Sequence, residues 1–245
     1  TCGLSRTTWP PRSTGTTWQV DMSWPYYSDE SVTLYLGDCR EVTEWLDADV
    51  LLTDPPYGRG WHPGRLPGHE SRSIIIVGDD DTAVRDAVVA MWGSGRPGLV
   101  FGDPLIPAPA GARQALVYHK PAVSGMYGAL GGWRRDVEMI WMVGRWPSGM
   151  GGAQSVLRSS ARTASGRAGM AGRYGHPHAK PLDVLQELLA HCPPGVVADP
   201  CAGSGSTLVA AKLAGRRAIG VEIDERYAET CARRLAQGVL LDGVG

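Results

Sequence analysis

The chain has 245 residues, 43% apolar and 20% charged, enough for one sizeable core and ordinary for a globular protein. No apolar run approaches the ~20 residues that cross a bilayer, and no basic-then-apolar signal pattern opens the chain, so a cytoplasmic protein without a membrane partner is expected. The net charge of −1 excludes a uniformly basic chain, yet Gly144 to Lys180 holds six cations (Arg145, Arg158, Arg162, Arg167, Arg173, Lys180) and no Asp or Glu, leaving −7 elsewhere.

Residues 1–22 are rich in Thr, Ser, Pro and Arg without periodicity and are expected to be a disordered extension of a unit spanning 23–245. Strand patterns follow at 32–38 (VTLYLGD) and 50–55 (VLLTDP), then a helical pattern at 82–92. Three further strand patterns occupy 98–103, 115–120 and 137–143, and a helical one runs over 180–192. The last part alternates strand (196–200), helix (205–215), strand (218–224) and helix (224–237). Such alternation predicts βαβ units: a single α/β domain with a mixed, mostly parallel sheet and helices on both faces. Two Gly-, Ser- and Arg-rich stretches, 58–73 and 144–179, lack periodicity and are expected to be functional loops. The five cysteines (Cys2, Cys39, Cys192, Cys201, Cys231) form no C-x-x-C pair, which argues against disulfides and metal.

The segment VVADPCAGSGSTLVAAKLAG (196–215) reads as strand, glycine turn and helix, and Glu222 ends the next strand. Glycines let a backbone approach a ligand closely, and a carboxylate at that strand end can take ribose hydroxyls. The dinucleotide fingerprint would need glycine where Leu208 stands, and the G-K-[ST] of a phosphate loop is absent. The spacing Asp199-x-x-x-Gly203-x-Gly205 is similar to the S-adenosylmethionine loop of methyltransferases.

Asp54-Pro55-Pro56-Tyr57 follows the strand pattern at 50–55. Pro56 keeps Pro55 extended, so the Pro55 carbonyl is expected to point outward beside the Asp54 carboxylate. Two adjacent acceptors and a nearby aromatic ring suit a planar ring bearing an exocyclic amine. The tetrapeptide resembles the catalytic motif of the amino-group DNA methyltransferases, which methylate adenine N6 or cytosine N4. DPCAGSGST (199–207) resembles that family's cofactor loop, HPHAKP (176–181) its His-Pro-x-x-Lys-Pro element, LYLGDC (34–39) its strand near the cofactor's adenosine, and WRRDVEMIWMV (133–143) its weaker Glu-containing strand. The catalytic turn precedes the cofactor loop, the permuted β-type order of the family.

The resemblance implies a Rossmann-like methyltransferase domain acting on double-stranded DNA in a bacterial or phage setting. It also leaves room for a homodimer and a cognate restriction nuclease. Asp54, Pro55, Pro56 and Tyr57 would be catalytic. Asp38, Cys39, Asp54, His176, Lys180, Pro181, Asp199, Pro200, Cys201, Ala202, Gly203, Ser204, Gly205, Ser206, Thr207, Glu222 and Ile223 would hold S-adenosylmethionine. DNA contacts are expected from Arg59, Trp61, Arg65, Arg145, Arg158, Arg162, Arg167 and Arg173. An adenine-N6 target is expected from Asp first and Tyr last, with cytosine N4 as the alternative. An RNA or protein-amide methyltransferase is a more distant reading, because such enzymes usually begin the tetrapeptide with Asn; a nucleotide-binding oxidoreductase and a non-catalytic DNA-binding relic are others. His178 and Cys201 depart from the family's usual Thr or Ser and Phe.

Overall fold

The computed structural model describes residues 24–60, 76–120, 131–149, 152–159 and 179–237. The expected extension 1–22 and the site candidates Trp61, Arg65, Arg162, Arg167, Arg173 and His176 lie outside the described residues.

The described strands form one sheet: β1 (Tyr27–Ser28), β2 (Val32–Leu36), β3 (Val50–Thr53), β4 (Gly98–Gly102), β5 (Ala112–His119), β6 (Val137–Val143), β7 (Val156–Arg158), β8 (Val197–Asp199) and β9 (Ala218–Glu222). Their order across the sheet is β1-β2-β9-β8-β3-β4-β6-β5-β7. The middle of the sheet, from β2 through β9, β8 and β3 to β4, is parallel. β6 runs antiparallel to both β4 and β5, and β1 antiparallel to β2. The helices are α1 (Ala83–Trp92), α2 (Leu182–Ala190), α3 (Ser206–Leu213) and α4 (Glu225–Ala236).

Every residue of β3, β4 and β8 is buried, because helices cover both faces of the parallel strands. The period-two alternation of strands divides them between two cores. Val50 and Leu52 face one cluster with Val184, Leu185 and Leu188 of α2, Leu208 and Ala211 of α3, and Leu235 of α4. Leu51, Val100 and Ala198 face the other, with Val88 and Trp92 of α1 and Trp45 of the short 3-10 turn Glu44–Asp47. Trp45 stacks on Trp92 with ring centres 6.1 Å apart.

The sequence patterns and the elements agree in number and order over the core; most strands end one or two residues inside the pattern, while β5 starts earlier than expected, at Ala112. Two corrections concern the edges. β1 was not expected, and β7 lies within the 144–179 stretch read as loop, where it extends the sheet beside β5. Ser159, after β7, donates its hydroxyl to Asp183 of α2 at 2.9 Å, which holds part of the basic stretch against the body.

Candidate active site

β3 and β8 are parallel neighbours, so the Asp-Pro-Pro-Tyr turn and the glycine loop leave the same edge of the sheet. The two are tied at the root. Thr53, ending β3, donates its hydroxyl to Asp199, ending β8, at 2.8 Å. Beyond the prolines, the buried carboxylate of Asp79 accepts the backbone N–H groups of Tyr57 and Gly58 at 2.8 and 2.9 Å. Gly58 has φ +75°, and a Cβ there would stand 2.6 Å from the Asp81 carbonyl carbon, so only glycine lets the turn close on the loop before α1.

The two oxygens of Asp54 have different partners. Oδ1 accepts the Tyr57 hydroxyl at 2.8 Å, and Oδ2 lies 2.7 Å from Lys180 Nζ. Lys180 is buried just before α2; its Nζ donates to Tyr57 Oη at 3.0 Å and stands 3.2 Å from Glu138 Oε2 on β6. The other Glu138 oxygen pairs with Lys120 at 2.6 Å. The result is a chain of two carboxylates and two ammoniums. Burial disfavours the Lys180 ammonium, but the charges of Asp54 and Glu138 outweigh it and hold its pKa above the ordinary lysine value. Burial likewise works against the Glu138 carboxylate, yet Lys180 and Lys120 bring it down to about 2. The ammonium thus stands among Asp54, Tyr57 and Glu138. Lys180, expected beside the cofactor, is in contact with Asp54 and Tyr57 of the Asp-Pro-Pro-Tyr turn.

Across the edge, Gly205 is left-handed (φ +82°), and a Cβ there would overlap the Cys231 sulfur of α4. Glu222, expected to take ribose hydroxyls, also acts as a latch: Oε2 accepts the Gly203 N–H at 2.7 Å and Oε1 the Asp224 N–H at 2.8 Å. Each oxygen keeps a second lone pair for a hydroxyl donor. Asp38 joins the same edge, since Gly37 N–H donates to the Glu222 carbonyl at 2.9 Å; its carboxylate pairs with Arg40. Ile223 is 46% exposed beside Glu222, an apolar face next to a carboxylate that suits a flat ring carrying hydroxyls.

Several loop residues expected to touch a ligand turn inward. Cys39 is buried in the second core with its carbonyl taken by Trp45 Nε1 at 2.9 Å, so its side chain packs against the interior. Asp199, Pro200, Ala202, Ser204, Ser206 and Thr207 are buried beneath the loop, and Pro181 is buried where α2 begins. Asp199 uses its carboxyl on Thr53 and on the Cys201 N–H at 3.2 Å, and the Ser204 carbonyl accepts Arg234 at 2.7 Å. Cys201, Gly203, Asp38, Asp54 and Ile223 remain accessible.

Among the expected DNA contacts, Arg145 and Arg158 are exposed, while Arg59 is partly neutralised by Asp103 at 2.9 Å. Sequence reasoning missed two features. Asp79 was hidden in the acidic run before α1, which reads as an ordinary helix start. Trp133, 83% exposed, and the exposed Arg134 and Arg135 precede β6 at the edge where Asp54 sits; an aromatic followed by two arginines was the available signal.

A family model described as DNA methylase matches residues 100–233, more than half of the chain. The chain is 48% identical over 67 residues to the putative methylase YubD of Escherichia coli (strain K12), covering 26% of this chain and 30% of that protein. It is 38% identical over 65 residues to the type II methyltransferase M.ScaI of Streptomyces caespitosus, covering 26% and 21%. The matched segments thus span less than a third of either curated relative. Two solved structures share the fold. The M1.HpyAVI–SAM complex superposes with a TM-score of 0.52 at 19% identity, covering 83% of this chain and 99% of that one. The cytosine-N4-specific PvuII DNA methyltransferase superposes at 0.58 with 15% identity, covering 90% of each. On the family match and this α/β architecture, the chain belongs to the N6/N4 DNA methylase family.

Proposed function

We propose that this protein transfers a methyl group from S-adenosylmethionine to the exocyclic amine of a base flipped out of double-stranded DNA, with adenine N6 as the target. The observation that carries the reading is the junction of the two loops: the Asp54–Pro55 acceptor pair and the glycine loop rise from adjacent strands bridged by Thr53 and Asp199. Asp in first place and Tyr in last support adenine over cytosine.

The residues fit the cofactor named. Gly203, Gly205 and the start of α3 would hold its methionine end, where backbone N–H groups favour a carboxylate. Asp38, Glu222 and Ile223 would hold its adenosine. Bound there, it would supply the methyl group from a sulfonium whose methyl C–S bond breaks in the transfer, leaving the neutral thioether S-adenosylhomocysteine. The protein's own part is electrostatic and positional. An exocyclic amine is a weak nucleophile because its lone pair is delocalised into the ring. Asp54 and the Pro55 carbonyl each accept one N–H, favour a pyramidal nitrogen and stabilise the positive charge that grows as the new N–C bond forms. The nitrogen then gives one of its protons to solvent, leaving the neutral methylamine. Tyr57, its hydroxyl anchored to Asp54 and Lys180, offers its ring to the base. A base stacked in a duplex cannot reach this edge, hence the flipping.

In this reading 58–73 and 144–179 face DNA, and Arg145, Arg158, Trp133 and Arg134 join them from the described residues. Their charges meet phosphates, and Trp133 supplies an apolar surface for a disturbed stack. The test is methyl transfer from labelled S-adenosylmethionine to mixed duplex DNA, followed by nucleoside mass spectrometry. N6-methyladenine is expected from the wild type and none from Asp54→Ala, which should still bind the cofactor. N4-methylcytosine would replace the target, and activity retained in Asp54→Ala would overturn the mechanism.

A further inference from the structure

We propose that Glu138 is a positioning residue for methyl transfer, acting through Lys180 to cancel a positive charge that would otherwise face the reacting amine. The inference rests on the reading of Asp54 as the acceptor of that amine.

The reaction builds positive charge on a nitrogen held by Asp54, yet an ammonium already stands 2.7 Å from the same carboxylate. By itself Lys180 would oppose the transition state, and more so because its side chain is only 8% exposed and poorly screened by solvent. It is nevertheless useful there: its bonds to Asp54 and Tyr57 lock the acceptor and the aromatic residue into one unit. Glu138 resolves the conflict. Its Oε2 lies 3.2 Å from Lys180 Nζ, it is equally shielded at 9% side-chain exposure, and it comes from β6, separated from β3 by β4. Among the described residues no donor is well aligned on that buried oxygen, so it meets Lys180 chiefly as an ion pair at 3.2 Å. Lys120 takes the outer oxygen at 2.6 Å from a more exposed position, which fixes the carboxylate while solvent screens the second cation. Lys180 thus holds the catalytic pair, and Glu138 keeps that hold from adding net positive charge beside the amine.

The test uses the full chain and single-turnover methyl transfer. Glu138→Gln keeps the shape and removes the charge; kcat should fall about 10- to 100-fold while KM for DNA and for S-adenosylmethionine moves less than about threefold. Glu138→Asp should recover part of the rate. The discriminating variant is the double substitution Glu138→Gln with Lys180→Met. It removes the uncompensated cation and should be faster than Glu138→Gln alone, whereas a purely structural network would lose further activity. A wild-type protein that transfers no methyl to DNA would sink the functional reading beneath the inference. An active wild type with an unimpaired Glu138→Gln, or a double variant slower than the single one, would overturn the inference itself. If Glu138→Gln does not fold, the kcat and KM of Glu138→Asp decide: a lowered kcat at constant KM supports the role, and an unchanged kcat overturns it.

Discussion

Asp199 offers a test that needs no substrate. It is 2% exposed at the end of β8, and burial, with the Asp54 charge adding to it, pushes its pKa from 3.8 up to about 7 despite the opposing hydrogen bonds of Thr53, Thr207 and the Cys201 N–H. The folded protein therefore prefers the neutral acid. Its stabilising contribution is complete below the unfolded value of 3.8 and is lost as pH rises through about 7. The gap between those values corresponds to about 4 kcal/mol as an upper figure. Asn keeps the shape of the neutral acid and cannot ionise. At 2–4 °C per kcal/mol for a domain of this size, the Tm of the wild type should fall by up to ~16 °C more than that of Asp199→Asn between pH 4 and pH 8. Thermal melts at constant ionic strength measure this. Glu222, also pushed up by burial, leaves a residual slope of the same sign in both proteins. Parallel Tm curves for the two proteins across that range would refute a buried, preferentially neutral Asp199.

Gly205→Ala combines a left-handed backbone with overlap on Cys231 and should destabilise the fold by at least ~2 kcal/mol, read as a lower denaturant midpoint. Asp79→Ala leaves the Tyr57 and Gly58 N–H groups without their acceptor; a loss of about 2–4 kcal/mol is expected, with kcat falling more than cofactor affinity. Replacing Arg145 and Arg158 together by Gln should reduce the slope of log K against log salt by about 2 in DNA titrations. Trp133→Ala should leave that slope alone while weakening the fluorescence change of a 2-aminopurine placed at the target position.

The central strands were legible because helices on both faces force continuous apolar runs such as VVADP, and α4 because its apolar residues recur on one face. β1 and β7 were not: two- and three-residue edge strands bury too little to leave a pattern. The Asp-Pro-Pro-Tyr tetrapeptide and the glycine loop stood out by motif, but motif says nothing about which way a side chain turns. The contacts of Lys180 were not legible, since only the fold brings Glu138 and Asp54 to either side of its ammonium. The latch made by Glu222 was not legible because its donor, the Gly203 N–H, lies in another loop. Asp79 was invisible for the same reason: its partners are backbone groups of a turn far back in the chain, and backbone N–H groups carry no residue identity.

The strand order has a consequence for biosynthesis. β2 and β3 are made before β8 and β9, yet β9 and β8 fill the space between them. A nascent chain emerging from the ribosome therefore carries a two-strand gap through the middle of its sheet, with Val50, Leu51 and Leu52 open on an unpaired edge. The Thr53–Asp199 bond closes that gap across 146 positions of sequence, so loop closure that costly comes late in folding. Chains that lack β8 and β9 are thereby prone to associate through that edge, and arrival of those two strands completes the sheet and the Thr53–Asp199 junction in one event.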